Sequence, residues 1–195
     1  MTADDLKRAL ATMGAGQFFD DILLAPGAHY FRSRFGEAGD EQYARFQALV
    51  GEAFDISASC VALIGSAKLG FSLNPNHLFR EFRLGSDFDV AVVCEGAFEA
   101  LWSTYRNTAY RNPGRNLTEQ RNAIFKMFVT TESLQNKDDE FELWERTRLG
   151  PLRRRIGDTF DFYGDVKFRI YRSHEPFRYY HILGIEYVQS GLVDT

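Results

Sequence analysis

Two short, continuous apolar runs, at residues 60–64 and 88–93, constrain the fold of this chain most strongly. Each run borders a polar turn, and this combination predicts a buried strand. A third segment, at residues 166–171, alternates apolar and basic residues as a half-exposed strand does. These segments lie far apart in the sequence, with helical patterns before and between them. The sequence therefore predicts an α+β fold with a small mixed β-sheet flanked by helices.

Helical spacing of apolar residues dominates the first sixty residues and gives the fold a helical N-terminal extension. Thr2 and Asp5 have the spacing of a capping box at the start of this region. The length of 195 residues suits one domain, and the sequence has no repeat or interdomain linker. We therefore treat 1–195 as a single domain, with a helical segment at 1–58 and a core at 59–195.

Further helices are predicted between and after the strands. Residues 98–105 have helical spacing, and another helical pattern follows a polar turn at 112–114 and extends through Phe128. A weaker helical pattern covers 141–149. Ser173 is placed to cap a last helix. These helices would cover the sheet.

Charge and cysteine content narrow the range of partners. The net charge of -4 argues against a surface that is coated by nucleic acid, but it is compatible with a local basic groove. Cys60 and Cys94 lie in or beside apolar runs, which indicates buried thiols of a cytoplasmic protein. No segment has the apolar length of a signal peptide or a membrane span. We expect a cytoplasmic protein without a membrane partner.

The first candidate motif is the turn at Gly65 and Ser66, directly after an apolar run. A glycine lets the backbone approach a ligand closely, and the serine adds a hydroxyl beside exposed amides. Such a turn can hold phosphate oxygens, but a Gly-Ser pair after a strand is most often only a turn.

The second candidate motif is the carboxylate pair Asp87 and Asp89. Residues i and i+2 of a strand point to the same face, so the two carboxylates would lie side by side. Their mutual repulsion is relieved by a divalent cation, and hard oxygen ligands suit Mg²⁺ or Mn²⁺. The alternative is a solvent-facing pair at the start of a strand.

Taken together, the two motifs resemble the signature of the DNA polymerase β-type nucleotidyltransferase superfamily. That signature is a hydrophobic residue, Gly-Ser, a spacer, and then Asp-hydrophobic-Asp-hydrophobic. Here Gly65-Ser66 is followed by Ser86-Asp87-Phe88-Asp89-Val90. The stretch 65–75 also resembles a subgroup of uncharacterised bacterial nucleotidyltransferases. The spacer is longer than in much of the superfamily.

The resemblance implies a nucleotidyltransferase fold and a site for an NTP, such as ATP, or a dNTP. The implied nucleotide-binding residues are Gly65, Ser66, Lys68, Arg83 and Ser86. Lys68, Arg80 and Arg83 lie in the long spacer and could bind phosphates. They could equally be ordinary surface cations.

The resemblance also implies catalysis with Mg²⁺ (or Mn²⁺), for which Asp87 and Asp89 would be catalytic metal ligands. A third carboxylate on a later strand normally completes such a site. Asp165 is our candidate for this ligand, and Asp161 is the second choice. Asp165 could instead only end the turn at Gly164, and the inward positions of the strand at 166–171 could be basic.

We therefore expect a metal-dependent nucleotidyltransferase that transfers a nucleotidyl group to a hydroxyl acceptor and releases pyrophosphate. By analogy with small stand-alone relatives, the expected setting is bacterial anti-phage defence, as in Hailong-like systems, or a toxin–antitoxin pair. The acceptor could be a protein, a small molecule or a growing oligonucleotide product. The alternative is a catalytically weakened nucleotide-binding sensor or a partner-binding, antitoxin-like protein.

Two further groups of residues have a plainer explanation. The arginines between 146 and 155 form the densest basic patch, which is either a solvated face or a track for a nucleic acid. Tyr171, Tyr179 and Tyr180 either pack in the core or stack on bases.

Overall fold

A four-stranded sheet lies at the centre of the computed structural model, which describes residues 2–83, 85–111, 114, 117–131 and 139–193, apart from the side chains of 139–141 and 193. Its strands are β1 (Val61–Ile64), β2 (Phe88–Val93), β3 (Phe128–Thr130) and β4 (Val166–Tyr171). Their spatial order is β1-β2-β4-β3. β2 and β4 are parallel, whereas β1 pairs antiparallel with β2 and β3 pairs antiparallel with β4. The predicted small mixed sheet is confirmed.

Helices precede, connect and follow the strands. The helices before β2 are α1 (Ala3–Thr12), α2 (Ala15–Phe18, continued by a π-helical turn at Phe19–Leu23), α3 (His29–Phe35), α4 (Gly39–Phe54) and α5 (Gly65–Leu69). Those after β2 are α6 (Glu95–Arg111), α7 (Thr118–Phe125), α8 (Asp139–Trp144, continued by a π-helical turn at Glu145–Leu149), α9 (Gly150–Phe160) and α10 (His174–Val193). The α+β class and the helical N-terminal segment are therefore confirmed.

The side chains of the strands alternate between two faces of the sheet. One face, which we call the apolar face, packs against α3, α4, α6 and α9. Its strand residues are Val61, Leu63, Phe88, Val90, Val92, Val129, Val166, Phe168 and Ile170. The other face, which we call the second face, packs against α1, α2 and α10. Its apolar strand residues include Ile64, Ala91, Phe128 and Tyr171.

The prediction of a helix through Phe128 is wrong. The helix α7 ends at Phe125, Met127 has a positive φ of 59°, and Phe128 opens the short edge strand β3. Phe128 lies four residues after Ile124 and so mimics helical spacing, while a strand of three residues is too short to show alternation. Of the predicted turn at 112–114, only Gly114 lies within the described residues.

Candidate functional site

The antiparallel pairing of β1 with β2 brings the two sequence motifs together. Ile64, the last residue of β1, lies opposite Asp89 near the start of β2. Because the two strands run in opposite directions, Gly65 and Ser66 follow β1 at the same end of the sheet at which Asp87 precedes β2. Two segments that are separated by a long spacer in the sequence thus meet at one end of the sheet.

Gly65 makes a close approach to one of the carboxylates. Its φ is +70°, which is a conformation that L side chains rarely adopt. A Cβ at this position would lie 2.7 Å from Oδ2 of Asp89. A side chain here would therefore strain the backbone and displace the carboxylate. A glycine at the first residue of α5 therefore leaves room for the neighbouring carboxylate of Asp89.

The turn before β2 is held by two hydrogen bonds between its ends. The Arg83 amide donates to Oγ of Ser86 at 3.1 Å, and the Ser86 amide donates to the Arg83 carbonyl at 2.8 Å. These bonds fix the chain direction immediately before Asp87.

A cavity of about 1630 Å³ opens at this end of the sheet. Six of the eight predicted site residues line it, namely Gly65, Ser66, Arg83, Ser86, Asp87 and Asp89. Its charged lining among the described residues consists of five basic and three acidic side chains, namely Arg80, Arg83, Lys126, Lys167, Arg169, Asp87, Asp89 and Glu175. The lining is therefore net positive, whereas the whole chain has a net charge of -4. A cavity with this charge attracts anions.

The neighbouring strand β4 contributes a lysine to the carboxylate pair. The parallel register sets Lys167 opposite Asp89, and Nζ of Lys167 lies 2.7 Å from Oδ2 of Asp87. Both side chains are about one-third exposed, so this ion pair adds little to stability and mainly positions the two groups. The sequence indicated that the inward positions of this strand could be basic, and the register places them at the carboxylates.

Asp165, the predicted third carboxylate, is exposed and is not among the residues that line the cavity. Its backbone carbonyl accepts a hydrogen bond from the Phe88 amide at 2.8 Å, which starts the pairing of β4 with β2. Asp161, the second choice, ends α9 in a left-handed conformation and forms an ion pair with Arg34. Asp161 is therefore engaged away from the carboxylate pair. Asp165 directly precedes Val166, the partner of Phe88, so its backbone lies beside Asp87 while its exposed side chain stays outside the cavity lining.

Lys68 also lies away from the cavity, although it was a candidate phosphate ligand. The side chain is 6% exposed, and its Nζ donates to the carbonyls of Ala25 and Gly27. Burial, together with the nearby Arg32, lowers the pKa of Lys68 to about 8. Lys68 therefore links α5 to the loop that precedes α3. Its side chain does not line the cavity.

Arg169 and His181 are partly buried polar residues in the wall of the cavity on the second face. Arg169 lies over the rings of Phe128 and Tyr180, at 5.2 and 5.0 Å from their centroids. Its Nε is buried and makes no hydrogen bond to any residue that the structure describes. The hydroxyl of Tyr171 lies 3.1 Å from Nε2 of His181. Burial, and secondarily Arg169, lowers the pKa of His181 to about 3, so this imidazole is neutral at physiological pH.

Asp87 and Asp89 have the oxygen donors that suit one hard divalent cation such as Mg²⁺ or Mn²⁺. In the described part of the chain, no group of three or more His, Cys, Asp or Glu side chains could hold a metal ion. Lys167 already compensates the charge of Asp87. Two carboxylates are too few to complete the coordination of such a cation, so a cation bound here would need further oxygen ligands.

The basic patch at 146–155 has local structural roles outside the cavity. Arg153 pairs with Glu145 and donates to the Val166 carbonyl, while Arg155 pairs with Glu52. Arg146 and Arg154 are exposed. These contacts agree with the interpretation of this patch as a solvated face.

Comparisons of the chain with protein-family models, with curated proteins and with solved structures find no match. Among the described helices, none is both long enough and apolar enough to cross a lipid bilayer.

Proposed function

We propose that the chain is a metal-dependent nucleotidyltransferase of the DNA polymerase β type, which transfers a nucleotidyl group from an NTP or dNTP to a hydroxyl acceptor. The observation that carries this proposal is the register between β1 and β2, in which Ile64 lies opposite Asp89. This register brings the start of α5, at Gly65, together with the carboxylate pair at the cavity.

The charge and size of the cavity support a nucleotide as its ligand. The arginines of the spacer, Arg80 and Arg83, line it and can bind the oxygens of a triphosphate. Its volume of about 1630 Å³ exceeds the roughly 300–1,000 Å³ of typical small-ligand sites. The cavity therefore has room for an acceptor beside the nucleotide.

In the proposed reaction the acceptor oxygen forms a bond to the α-phosphorus of the nucleotide. The bond from that phosphorus to the bridging oxygen breaks, pyrophosphate leaves with the electron pair, and the acceptor proton passes to water. Asp87 and Asp89 would hold Mg²⁺ or Mn²⁺, which when bound neutralises phosphate charge and favours ionisation of the acceptor hydroxyl. Lys167 orients Asp87 and supplies a positive charge close to the transferred group.

A second candidate function is nucleotide binding without turnover. This function is favoured by Lys167, which places a positive charge beside Asp87 and Asp89 on the strand that was expected to carry a third carboxylate at its start. Such a protein would bind a nucleotide through the same cavity and would release no pyrophosphate.

The test is to incubate the protein with each α-labelled NTP and dNTP and with Mg²⁺ or Mn²⁺, and to measure label transfer and pyrophosphate. We expect turnover by the wild type and a loss of at least about a hundredfold in Asp89→Asn. The matched control is Asp158→Asn, because Asp158 is an exposed aspartate of α9 away from the cavity. This control should retain wild-type activity.

Equal turnover by the wild type and Asp89→Asn would contradict catalysis through this pair. A nucleotide-dependent rise in the melting temperature without pyrophosphate release, under all these conditions, would favour the second candidate. Neither binding nor turnover with any nucleotide would contradict both functions.

A further inference from the structure

A strip of exposed side chains runs along α10 and forms one wall of the cavity. Tyr179, Leu183 and Tyr187 follow one another at intervals of four residues, so they share one side of the helix. Their exposed fractions are 65%, 46% and 67%, and all three line the cavity. We call these three residues the α10 shelf.

The end of α7 places another ring and a cation beside α10. Phe125 is 88% exposed and lines the same cavity. Nζ of the adjacent Lys126 lies 5.8 Å from the ring centroid of Tyr180 on α10. Exposed rings and a lysine therefore occupy one region of the cavity wall.

The combination of exposed rings and positive charge indicates the class of ligand. Aromatic side chains beside cations are the means by which proteins bind single-stranded nucleic acids, since bases stack on the rings and phosphates pair with the cations. A protein partner would instead favour an interface core that is depleted of lysine. The α10 shelf is continuous with a net-positive cavity in an acidic chain, and this charge complements a polyanion.

We propose that the α10 shelf binds a single-stranded oligonucleotide and presents its 3′ end to Asp87 and Asp89 as the acceptor. This inference rests on the proposed nucleotidyltransferase function. The bases stack on Tyr179 and Tyr187, and the phosphates face Lys126 and the other cations of the cavity.

The spacing of the two tyrosines determines how the strand binds. Eight helical residues separate them, which is about 12 Å along the helix axis. Stacked bases in a duplex lie only about 3.4 Å apart. The two rings therefore take bases that are not adjacent, and the strand lies extended along α10.

The chemical step adds one nucleotide to this strand. The 3′ oxygen forms a bond to the α-phosphorus of the bound nucleotide, the bond to the bridging oxygen breaks, and pyrophosphate leaves. The 3′ proton passes to water. The product is the same strand with one more nucleotide, and the reaction requires no other reactant.

The test measures binding of fluorescein-labelled DNA and RNA oligonucleotides of about 12 nucleotides by fluorescence anisotropy. The variants are Tyr179→Ala/Tyr187→Ala and a matched control, Tyr110→Ala/Tyr163→Ala. Tyr110 and Tyr163 are 78% and 85% exposed but do not line the cavity. We expect the shelf variant to bind at least about tenfold more weakly and the control to bind as the wild type does.

Two further measurements test stacking and charge. Tyr179→Phe/Tyr187→Phe keeps both rings and should retain wild-type affinity. The affinity of the wild type should fall steeply between about 50 and 200 mM salt, because phosphate contacts release counterions. Extension of the bound oligonucleotide with an α-labelled nucleotide tests its role as acceptor.

The possible failures are distinguishable. Nucleotide turnover without shelf-dependent oligonucleotide binding would overturn this inference and leave the proposed function intact. Shelf-dependent binding without turnover of any nucleotide would contradict the proposed function and the acceptor role but not the stacking site. Self-association that the shelf variant loses, without oligonucleotide binding, would overturn the inference in favour of a second copy of the chain.

Discussion

The two faces of the sheet use alternate residues of the same strands for different purposes. On the apolar face, Phe88 is fully buried and stacks on Phe162 with 3.5 Å between ring centroids. On the second face, the next residue of the same strand, Asp89, lines a cavity together with Lys167 and Arg169. One side of β2 thus closes the core and the other side carries the charged groups.

The difference follows from what covers each face. The helices α3, α4, α6 and α9 pack against the apolar face. The helices α1, α2 and α10 cover the second face around an open cavity, so charged side chains at its mouth keep contact with water. We infer that side chains of the apolar face contribute strongly to stability, while the charged side chains that line the cavity on the second face can be exchanged at little cost in folding.

The largest expected effect is on the apolar face. Phe88→Ala removes a ring that contacts Tyr30, Phe46 and Phe162, and should lower the free energy of unfolding by about 3–5 kcal/mol. Urea denaturation measures this change. Asp89→Asn, one residue further along β2, is the comparison and should change stability by less than about 1 kcal/mol. A similar loss in both variants would contradict the contrast between the faces.

The second-largest expected effect is the pH dependence of the free energy of unfolding, which His181 on the second face produces. The folded-state pKa of His181 is about 3 against an ordinary value of 6.5, so between these values the unfolded chain binds a proton that the folded chain does not. Stability is therefore lost as the pH falls from 6.5, by about 2 kcal/mol at pH 5. Urea denaturation at pH 5 and pH 7 should show this loss in the wild type.

Two variants test whether His181 causes this pH effect: His181→Gln removes the imidazole, and His77→Gln is the matched control. His181→Gln should abolish the His181 contribution to the pH dependence, and His77→Gln should not, because His77 is exposed. Identical pH dependence in the wild type and His181→Gln would show that the imidazole titrates normally.

The smallest effect concerns a helix that covers the second face. Thr2 and Asp5 form the predicted capping box of α1, which packs Leu6 and Leu10 against this face. Thr2→Ala should lower the free energy of unfolding by about 1 kcal/mol, again by urea denaturation. Thr12→Ala, at the exposed end of the same helix, should cost less than half as much. Equal effects would indicate that the cap does not stabilise α1.

The strands that bear the candidate site could be predicted because their signals are local. The runs at 60–64, 88–93 and 166–171 lie within one residue of β1, β2 and β4. The edge strand β3 has only three residues and takes its conformation from pairing with β4, so no periodicity marked it.

Lys68 shows why a candidate ligand cannot be assigned from spacing alone. It follows Gly65 and Ser66 closely in the sequence, but α5 turns its side chain toward the carbonyls of Ala25 and Gly27. Those carbonyls belong to a loop forty residues earlier in the chain, and no local pattern links them to Lys68.

The sequence by itself determined the α+β class, three of the strands, and the two motifs that meet at Gly65 and Asp89. Local patterns are sufficient for these features because turn residues and apolar periodicity act over short distances. Only the tertiary structure decided what stands beside the carboxylates. The parallel pairing of β4 with β2 joins segments more than seventy residues apart, and its register places Lys167 opposite Asp89, with Nζ of Lys167 against the carboxylate of Asp87. A shift of one residue would turn every side chain of β4 to the opposite face, and packing of the whole apolar face selects between these registers.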